Sequence, residues 1–180
     1  MNARARNTFI SIYAKAIVKN VIFTLPYLAS MLYFSYGSFL DSENLKIHAP
    51  SARFISRVVL HDFEVQFNFL SKTYNGGVTG VEPVAGMKAL GVLYSVPTNE
   101  IEKLDIVEGV PAGIYYRETL TVVDEDGNKH RAETYRTTDP KGPFTPTKRY
   151  LSLMINGARE HGLDPDYIKE LEDLYATLDR

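Results

Sequence analysis

Eight residues near the start of the chain read Tyr33-Phe34-Ser35-Tyr36-Gly37-Ser38-Phe39-Leu40. The apolar and aromatic residues before the glycine predict a short buried strand, and Gly37 predicts where that strand breaks. Because glycine adopts backbone dihedrals closed to other residues, the chain can turn its N–H groups toward a ligand at this break. We therefore expect this segment both to begin the folded domain and to line a binding site.

A single carboxylate, Glu108, is the second candidate feature. It follows a predicted helix that begins at Thr98 or Asn99, either of which can cap it. Helical spacing from Leu104 places Val107 or Glu108 on the apolar face. Backbone N–H donors and one shielded acid would suit acyl transfer without a metal ion or a cysteine. The alternative is that Glu108 is an ordinary solvated acid late in an amphipathic helix.

The composition excludes several classes of protein. A chain of 180 residues with 44% hydrophobic and 23% charged residues suits one globular domain. A net charge of -2 gives no general basis for nucleic-acid binding. The absence of cysteine rules out disulfides and a cysteine nucleophile. The histidines lack the paired spacing of metal ligands, so no metal site is expected; they are His48, His61, His130 and His161.

A basic N-terminal extension, residues 1–30, contains no acidic residue and precedes the predicted domain at 31–180. It could be a targeting segment, an interfacial amphipathic helix over residues 9–23, or an extension upstream of a natural start at Met31. We favour the last interpretation because Met31 immediately precedes the first predicted strand. The apolar stretch contains Pro26 and is too short to cross a bilayer, so we expect no membrane span.

The rest of the chain predicts more strands than helices. Four apolar or alternating runs predict strands over Phe54–Leu60, Phe63–Phe69, Val78–Pro83 and Leu90–Val96. An Asp-Gly turn predicts a hairpin of Tyr115–Asp124 with Lys129–Thr138, and two final helices are predicted over Thr147–His161 and Pro165–Leu178. This order predicts an α+β fold, a small mixed β-barrel of about five to seven strands with flanking helices.

Three segments together resemble the γ-glutamylcyclotransferase family, over essentially all of residues 31–178. Tyr33 to Ser38 is similar to the family's substrate loop. Asp105-Ile106-Val107-Glu108-Gly109-Val110 is similar to the segment bearing its catalytic acid/base, and Tyr150 with the helix after it to its C-terminal substrate contact. Members of this family share a mixed β-barrel and cleave γ-glutamyl-amino compounds into 5-oxoproline and a free amine.

The resemblance implies a catalytic role for Glu108 and a small-molecule γ-glutamyl substrate. It implies no cofactor and no metal, and we expect a cytoplasmic protein, with targeting by the extension left open, and a possible homodimer. The expected substrate-binding residues are Tyr33, Phe34, Ser35, Tyr36, Gly37, Ser38 and Tyr150, with Tyr115 and Tyr135 as further phenolic donors to the glutamyl head.

The chemistry expected of these residues is an intramolecular cyclisation. The α-amine of the glutamyl group attacks its own γ-carbonyl, and binding the molecule folded makes the step a matter of proximity. Glu108 would first accept a proton from the ammonium and then protonate the leaving amine, with burial raising its pKa toward the useful range. N–H groups around Gly37 would bind the oxyanion or the α-carboxylate.

One residue departs from the family pattern, because Phe39 stands where Asn commonly follows the Gly-Ser pair. Two alternatives therefore stay open: a catalytically silent binding module on the same barrel, and a γ-glutamylamine cyclotransferase acting on isopeptides or modified metabolites. Ser38 could suggest a nucleophile, but no histidine motif supplies its base. Arg117 could pair with a substrate carboxylate, although a surface position on its strand is the simpler interpretation.

Overall fold

The computed structural model describes residues 29–179, so the predicted extension lies almost entirely outside the described residues. Five strands close into one barrel in the order β1-β3-β2-β4-β5, which confirms the predicted small mixed β-barrel. The strands are β1 (Ser30–Ser35), β2 (Arg53–Ser71), β3 (Gly76–Pro97), β4 (Tyr115–Asp124) and β5 (Lys129–Thr137).

In the described part of the chain, four helices flank the barrel: α1 (Ser42–Lys46), α2 (Thr98–Val107), α3 (Lys148–Glu160) and α4 (Pro165–Ala176). Two 3-10 turns, Ser38–Leu40 and Val110–Ala112, follow β1 and α2. Across residues 29–179, no helix combines the length and the apolar character that crossing a membrane requires.

The barrel closes between its first and last strands. β1 is antiparallel to β3, and Tyr33 of β1 pairs in parallel with Glu133 of β5. The long β2–β3 hairpin turns at Asn75, whose φ is 52°. The chain leaves β1 at Ser35 and enters the turn that contains Gly37, so this turn lies beside the last residues of the paired strands.

The four predicted strands from Phe54 to Val96 are two strands, and their division was wrong. The register shifts between His61 and Phe63, where Asp62 has a φ of 62°, and Gly86 in the facing strand has a φ of 80°. The Gly86 N–H donates to the Asp62 carboxylate at 2.8 Å. The turn-like residues therefore form a bulge inside a continuous pair of strands, because a bulge can absorb an extra residue without ending the ladder.

The helix ends agree with the sequence at α3 but not at α2. Neither Thr98 nor Asn99 caps α2; instead the Thr98 N–H and hydroxyl both donate to the carbonyl of Ala29. The side chain of Thr147 caps α3 by accepting the Tyr150 N–H. Gly162, with a φ of 63°, follows α3 directly after His161, where the predicted helix ends.

Two apolar clusters form the core of the region from residue 29 to residue 179, and β1 contributes to both. Tyr33 belongs to the larger cluster, which joins the barrel to α2, α3 and α4, whereas Phe34 belongs to the smaller one within the barrel. Because successive side chains of a strand point to opposite faces, neighbouring residues of β1 have different surroundings. This alternation decides which aromatic residue of the segment can reach a ligand.

Candidate active site

A cavity of about 690 Å³ opens beside the end of β1, a volume typical of small-molecule sites. It brings together residues that lie far apart in the sequence. The predicted site residues that line it are Tyr33, Ser35, Tyr36, Gly37, Ser38, Glu108, Tyr115, Tyr135 and Tyr150.

Phe34 is the exception among the predicted site residues. Its side chain is 1% exposed and packs in the smaller apolar cluster, away from the residues that line the cavity. The prediction treated residues 33–38 as one contact segment, but the alternation of β1 turns Phe34 to the other side. A direct side-chain contact from Phe34 to a ligand in this cavity is therefore excluded by its position.

Glu108 follows the last residue of α2, and its N–H donates to the Leu104 carbonyl at 2.8 Å. Leu104 is fully buried while Val107 is 45% exposed, so the helix places Glu108 above the buried face. Within residues 29–179, no donor or cation contacts the carboxyl of Glu108. Burial alone raises its pKa to about 7. A carboxyl group with this pKa can both accept and donate a proton near neutral pH.

Glycines after Glu108 turn the chain back toward the cavity. Gly109 and Gly113 have φ values of 69° and 68°, in the left-handed region that other residues rarely occupy. A Cβ at Gly109 would also lie 2.8 Å from the side chain of Ile114, which lines the cavity. The glycine beside Glu108 is therefore required both by the backbone conformation and by space.

The glycine of the aromatic segment is required for a different reason. Gly37 has a φ of -115°, which lies outside the left-handed region. Its φ therefore does not support the expectation that Gly37 adopts a backbone conformation closed to other residues. A Cβ at Gly37 would lie 2.5 Å from Thr79 Oγ1 and 3.0 Å from the Tyr150 hydroxyl. Glycine at this position therefore lets the loop approach these two hydroxyl groups.

The loop after Gly37 presents backbone donors. The Leu40 N–H donates to the Gly37 carbonyl at 3.0 Å, which closes the 3-10 turn. The N–H groups of Gly37, Ser38 and Phe39 have no acceptor in the part of the chain that the structure describes. The first amides of a helical turn lack an internal partner, and such amides can bind an anionic oxygen.

Thr79 joins the two tyrosines that the sequence analysis had singled out from opposite ends of the domain. The Tyr150 hydroxyl lies 2.7 Å from Thr79 Oγ1 and accepts the Thr79 N–H at 3.1 Å. The Tyr115 hydroxyl donates to the Thr79 carbonyl at 2.8 Å. Thr79 lines the cavity, but no motif marked it, because its role depends on residues from β4 and α3.

One buried hydroxyl group in the cavity, that of Ser35, has no hydrogen-bond partner in residues 29–179. Ser35 is 1% exposed, and its Oγ makes no hydrogen bond. The Tyr33 ring packs edge-on against Tyr135 at 5.8 Å; burial raises the pKa of Tyr33, while the Ser35 side chain acts to lower it. Because a buried hydroxyl without a partner is costly, the Ser35 hydroxyl is suited to bind a polar atom of a ligand.

Tyr135 is held differently, through the acid that precedes Glu108 in α2. Its hydroxyl donates to the Asp105 carboxylate at 2.8 Å. Asp105 also lies 3.5 Å from the Arg117 guanidinium, which in turn pairs with Glu133 at the same distance. Arg117 is therefore engaged in ion pairs and does not line the cavity.

The tyrosines around Glu108 all remain protonated at neutral pH. Burial is the main cause that raises their pKa values, and the negative charge of Glu108 adds to it in every case; for Tyr150 the pKa is raised to about 12. Their phenols therefore keep their single protons, which Tyr36, Tyr115 and Tyr135 donate to oxygens of the protein. The residues so affected are Tyr33, Tyr36, Tyr115, Tyr135 and Tyr150.

Sequence reasoning missed the outer part of the cavity, which the β2–β3 turn and the start of α3 provide. The sequence analysis did not single out Tyr74, yet its ring packs edge-on against Tyr150 with centroids 4.8 Å apart. Lys72 and Arg149 line the same region. Phe39 lines the cavity too and packs edge-on against His48 at 5.9 Å.

The barrel and its cavity define the class of protein. The model of the AIG2-like family matches residues 88–171, from β3 through most of α4. A solved structure of "Gamma-glutamyl cyclotransferase" superposes with a TM-score of 0.77 and 29% identity, covering 80% of this chain and 87% of that chain.

Curated relatives give the more specific assignment. Gamma-glutamylcyclotransferase from Bos taurus is 32% identical over 149 residues, covering 81% of this chain and 79% of that protein. The Homo sapiens protein of the same name is 30% identical over 147 residues, covering 79% and 78%. The chain belongs to the γ-glutamylcyclotransferase family and is an enzyme of this type.

Proposed function

We propose that this enzyme converts γ-glutamyl-amino compounds into 5-oxoproline and a free amine, with Glu108 as the group that moves the protons. The observation that carries the proposal is the Glu108 carboxyl, which faces the cavity without a protein partner and has a pKa of about 7. The substrate's α-amine is mostly protonated at neutral pH, since such groups titrate at about 8. A base of nearly matched pKa can accept its proton.

The proposed reaction balances without any second reactant. Glu108 takes a proton from the substrate ammonium, and the amine nitrogen then attacks the γ-carbonyl carbon to form a new C–N bond. The carbonyl oxygen becomes an oxyanion. Glu108 returns its proton to the nitrogen of the amide, and the original C–N bond breaks. The second proton, still carried by the new ring nitrogen, passes through Glu108 to the departing amine, so that 5-oxoproline, with its ring amide neutral, and a protonated amine leave. Because the nucleophile and the electrophile belong to one molecule, holding both ends of the substrate folded lowers the barrier by fixing the bond rotations between them.

The inner end of the cavity supplies the donors that this step needs. The N–H groups of Gly37 and Ser38 have no acceptor in residues 29–179 and can bind the oxyanion or the α-carboxylate; one such donor is worth about 3–4 kcal/mol. The unpartnered hydroxyl group of Ser35 is a further donor to the glutamyl head, and Tyr33 lines the cavity with it. Tyr150 supports this arrangement through Thr79.

The test is release of 5-oxoproline from γ-glutamyl-alanine by the full chain. We expect turnover by the unmodified enzyme and a loss of kcat of roughly 10²–10⁴-fold in Glu108→Gln. Glu102→Gln, an exposed acid on the same helix, is the matched control and should retain activity. A folded Glu108→Gln protein with unchanged kcat would refute the role of Glu108. Binding of γ-glutamyl-alanine without turnover by the unmodified chain would indicate a binding module instead.

A further inference from the structure

Thr79 lies at an irregularity of the barrel, where its backbone does not pair with the neighbouring strand. The register of β2 and β3 shifts between Gln66 and Phe69, so Thr79 has no paired residue on β2. Instead its N–H donates to the Tyr150 hydroxyl, and its carbonyl accepts the proton of the Tyr115 hydroxyl. Bulges of this kind leave a residue out of the ladder and are frequent beside active sites. The irregularity therefore places Thr79 at the wall of the cavity.

The hydroxyl groups of Thr79 and Tyr150 form a pair in which one proton is left over. The two oxygens lie 2.7 Å apart, and either can be the donor. Each hydroxyl carries one proton, and the contact between them uses one of the two. Within residues 29–179, neither hydroxyl donates to another acceptor. Both residues are buried and a buried donor without an acceptor is costly, so the remaining proton is available to a ligand.

The Tyr150 proton is the one that a bound anion would receive. The phenol is the more acidic hydroxyl of the pair, and an anionic oxygen is a better acceptor than the neutral oxygen of Thr79. Burial raises the pKa of Tyr150 to about 12, whereas the N–H and the side chain of Thr79 both act to lower it. A hydroxyl whose oxygen accepts hydrogen bonds becomes a stronger donor. Donation from Thr79 to Tyr150 therefore strengthens donation from Tyr150 to the ligand.

Gly37 brings a backbone donor to the same hydroxyl groups. A Cβ at Gly37 would lie 2.5 Å from Thr79 Oγ1 and 3.0 Å from the Tyr150 hydroxyl, so the loop passes directly beside the pair. The Gly37 N–H has no acceptor in residues 29–179. An amide and a hydroxyl proton therefore border one small space, and such neutral donors stabilise an oxygen that carries negative charge.

We propose that Thr79 is a positioning residue of this enzyme: its hydroxyl donates to the Tyr150 oxygen, and Tyr150 donates its own proton to an anionic oxygen of the glutamyl group. That oxygen belongs to the α-carboxylate or to the oxyanion formed from the γ-carbonyl. The inference rests on the proposed cyclisation. It adds no covalent step, because both hydroxyl groups keep their protons throughout the reaction.

Variants of Thr79 separate the role of its hydroxyl from that of its backbone. Thr79→Val removes the hydroxyl but keeps the β-branched shape and the backbone bonds to Tyr150 and Tyr115, whereas Thr79→Ser keeps the hydroxyl. Thr79→Ala is a second variant without the hydroxyl, in case valine prevents folding. Thr134→Val is the matched control, because it removes a buried strand hydroxyl that donates to the Phe34 carbonyl and does not line the cavity.

We measure kcat and KM for γ-glutamyl-alanine with the full chain, and the affinity for 5-oxoproline by calorimetry. Thr79→Val and Thr79→Ala should lose about 10-fold in kcat/KM, a factor typical of one lost hydrogen bond, while Thr79→Ser stays within about 2-fold. A loss in kcat at unchanged affinity for 5-oxoproline assigns the contact to the oxyanion. A rise in KM with weaker binding of 5-oxoproline assigns it to the α-carboxylate, which that product retains. Thr134→Val should leave all three quantities unchanged.

Combining Thr79→Val with Tyr150→Phe shows whether Thr79 acts through Tyr150. If it does, Thr79→Val has little left to remove once the Tyr150 hydroxyl is absent, and its effect should fall below about 2-fold in that background. The full loss in the Tyr150→Phe background would mean that Thr79 contacts the ligand itself, which overturns the positioning role.

Two results from the single variants would also overturn the proposal. Unchanged kinetics of Thr79→Val would make the hydroxyl structural, and equal losses in Thr79→Val and Thr79→Ser would assign the effect to packing. Calorimetric binding of γ-glutamyl-alanine keeps the test independent of turnover. If the unmodified chain releases no 5-oxoproline but binds γ-glutamyl-alanine more tightly than Thr79→Val does, the cyclisation is rejected and the role of Thr79 is retained. Equal binding without turnover would reject both.

Discussion

Glu160, the last residue of α3, accepts hydrogen bonds from both the backbone N–H and the hydroxyl of Ser42, the first residue of α1. This contact attaches α3 to the chain that directly follows the glycine loop. A second contact joins the same two segments. The hydroxyl of Tyr94 in β3 lies 2.8 Å from His161 Nε2 and 3.3 Å from the Leu40 carbonyl. The end of α3 is thus hydrogen-bonded to the chain that follows the cavity-lining loop.

Removing the hydroxyl of Ser42 should weaken this attachment. Ser42→Ala is expected to lower the free energy of unfolding by about 1 kcal/mol, because the partner carboxylate is half-exposed. Burial acts to raise the pKa of Glu160, but the hydrogen bonds from Ser42 hold this pKa below its ordinary value of 4.5. The stabilisation is therefore present above that pH and lost as pH falls through the lowered pKa.

Urea denaturation of both proteins at neutral and acidic pH measures this effect. The difference between them should be largest near neutral pH and shrink on acidification. A difference that grows as the pH falls would contradict the assigned interaction. Ser152→Ala on α3 changes the same atoms without touching Glu160 and is the control.

Gly157 should tolerate no side chain. A Cβ there would overlap the carbonyl group of Leu40, in backbone that cannot move without displacing the loop. Gly157→Ala is expected to destabilise the protein by roughly 1–3 kcal/mol, as overpacking does, despite the better helix propensity of alanine. Asn156→Ala, on the exposed side of α3, should be neutral or slightly stabilising. Thermal denaturation decides, and a Gly157→Ala protein as stable as the unmodified one would contradict the packing.

The ionised Glu108 carboxyl should lower the free energy of unfolding, because it is buried. Because burial raises its pKa from 4.5 to about 7, the folded state holds the proton more tightly than the unfolded state does. The group favours folding at acidic pH, and this contribution is lost as pH rises through 7. Glu108→Gln should therefore become more stable than the unmodified protein as the pH rises above 4.5. The difference should reach about 3 kcal/mol near pH 8.

Denaturation curves at several pH values test this for Glu108→Gln and for Glu102→Gln. The gain in stability of Glu108→Gln should be near zero below pH 4.5, increase between pH 4.5 and about 7, and level off at higher pH. A pH-independent difference would show that the carboxyl is not buried as the cavity geometry requires. The exposed Glu102 should give no such dependence.

The pH dependence of kcat/KM should have the shape of a proton shuttle. On the acidic side it should rise as Glu108 ionises, with a midpoint of about 7. On the basic side it should fall above the pKa of the substrate α-amine, about 8, because the reaction needs one retained proton. A midpoint near the ordinary value for glutamate would mean that the acid is solvated. Initial rates of 5-oxoproline release provide the profile.

Two tyrosine substitutions should separate binding from structural support. Tyr33→Phe removes a hydroxyl that lines the cavity, so we expect little change in stability and a higher KM. Tyr150→Phe leaves the Thr79 N–H without its acceptor and should cost about 1–3 kcal/mol of stability as well as activity. Urea denaturation and steady-state kinetics measure both effects. The reverse order of stability losses would contradict the assigned hydrogen bonds.

Local sequence patterns were sufficient to predict several features of the fold. Alternation and the Asp-Gly turn predicted the β4–β5 hairpin, and Thr147 and Gly162 marked the ends of α3, because turns and caps depend on neighbouring residues. Helical spacing from Leu104 also identified Glu108 as a candidate for the buried face. The division of β2 and β3 failed because a bulge and a turn use the same residue types.

The composition of the site required the folded chain. Periodicity separates the two faces of β1 but does not say which face meets the cavity. Phe34 entered the expected site through the resemblance to the family's substrate loop, and its side chain lies in the barrel core. Thr79 and Arg149 carry no sequence signal, since each acquires its place from partners on other elements. Hydrogen bonds and stacking between distant segments depend on barrel closure, and closure is a property of all five strands together.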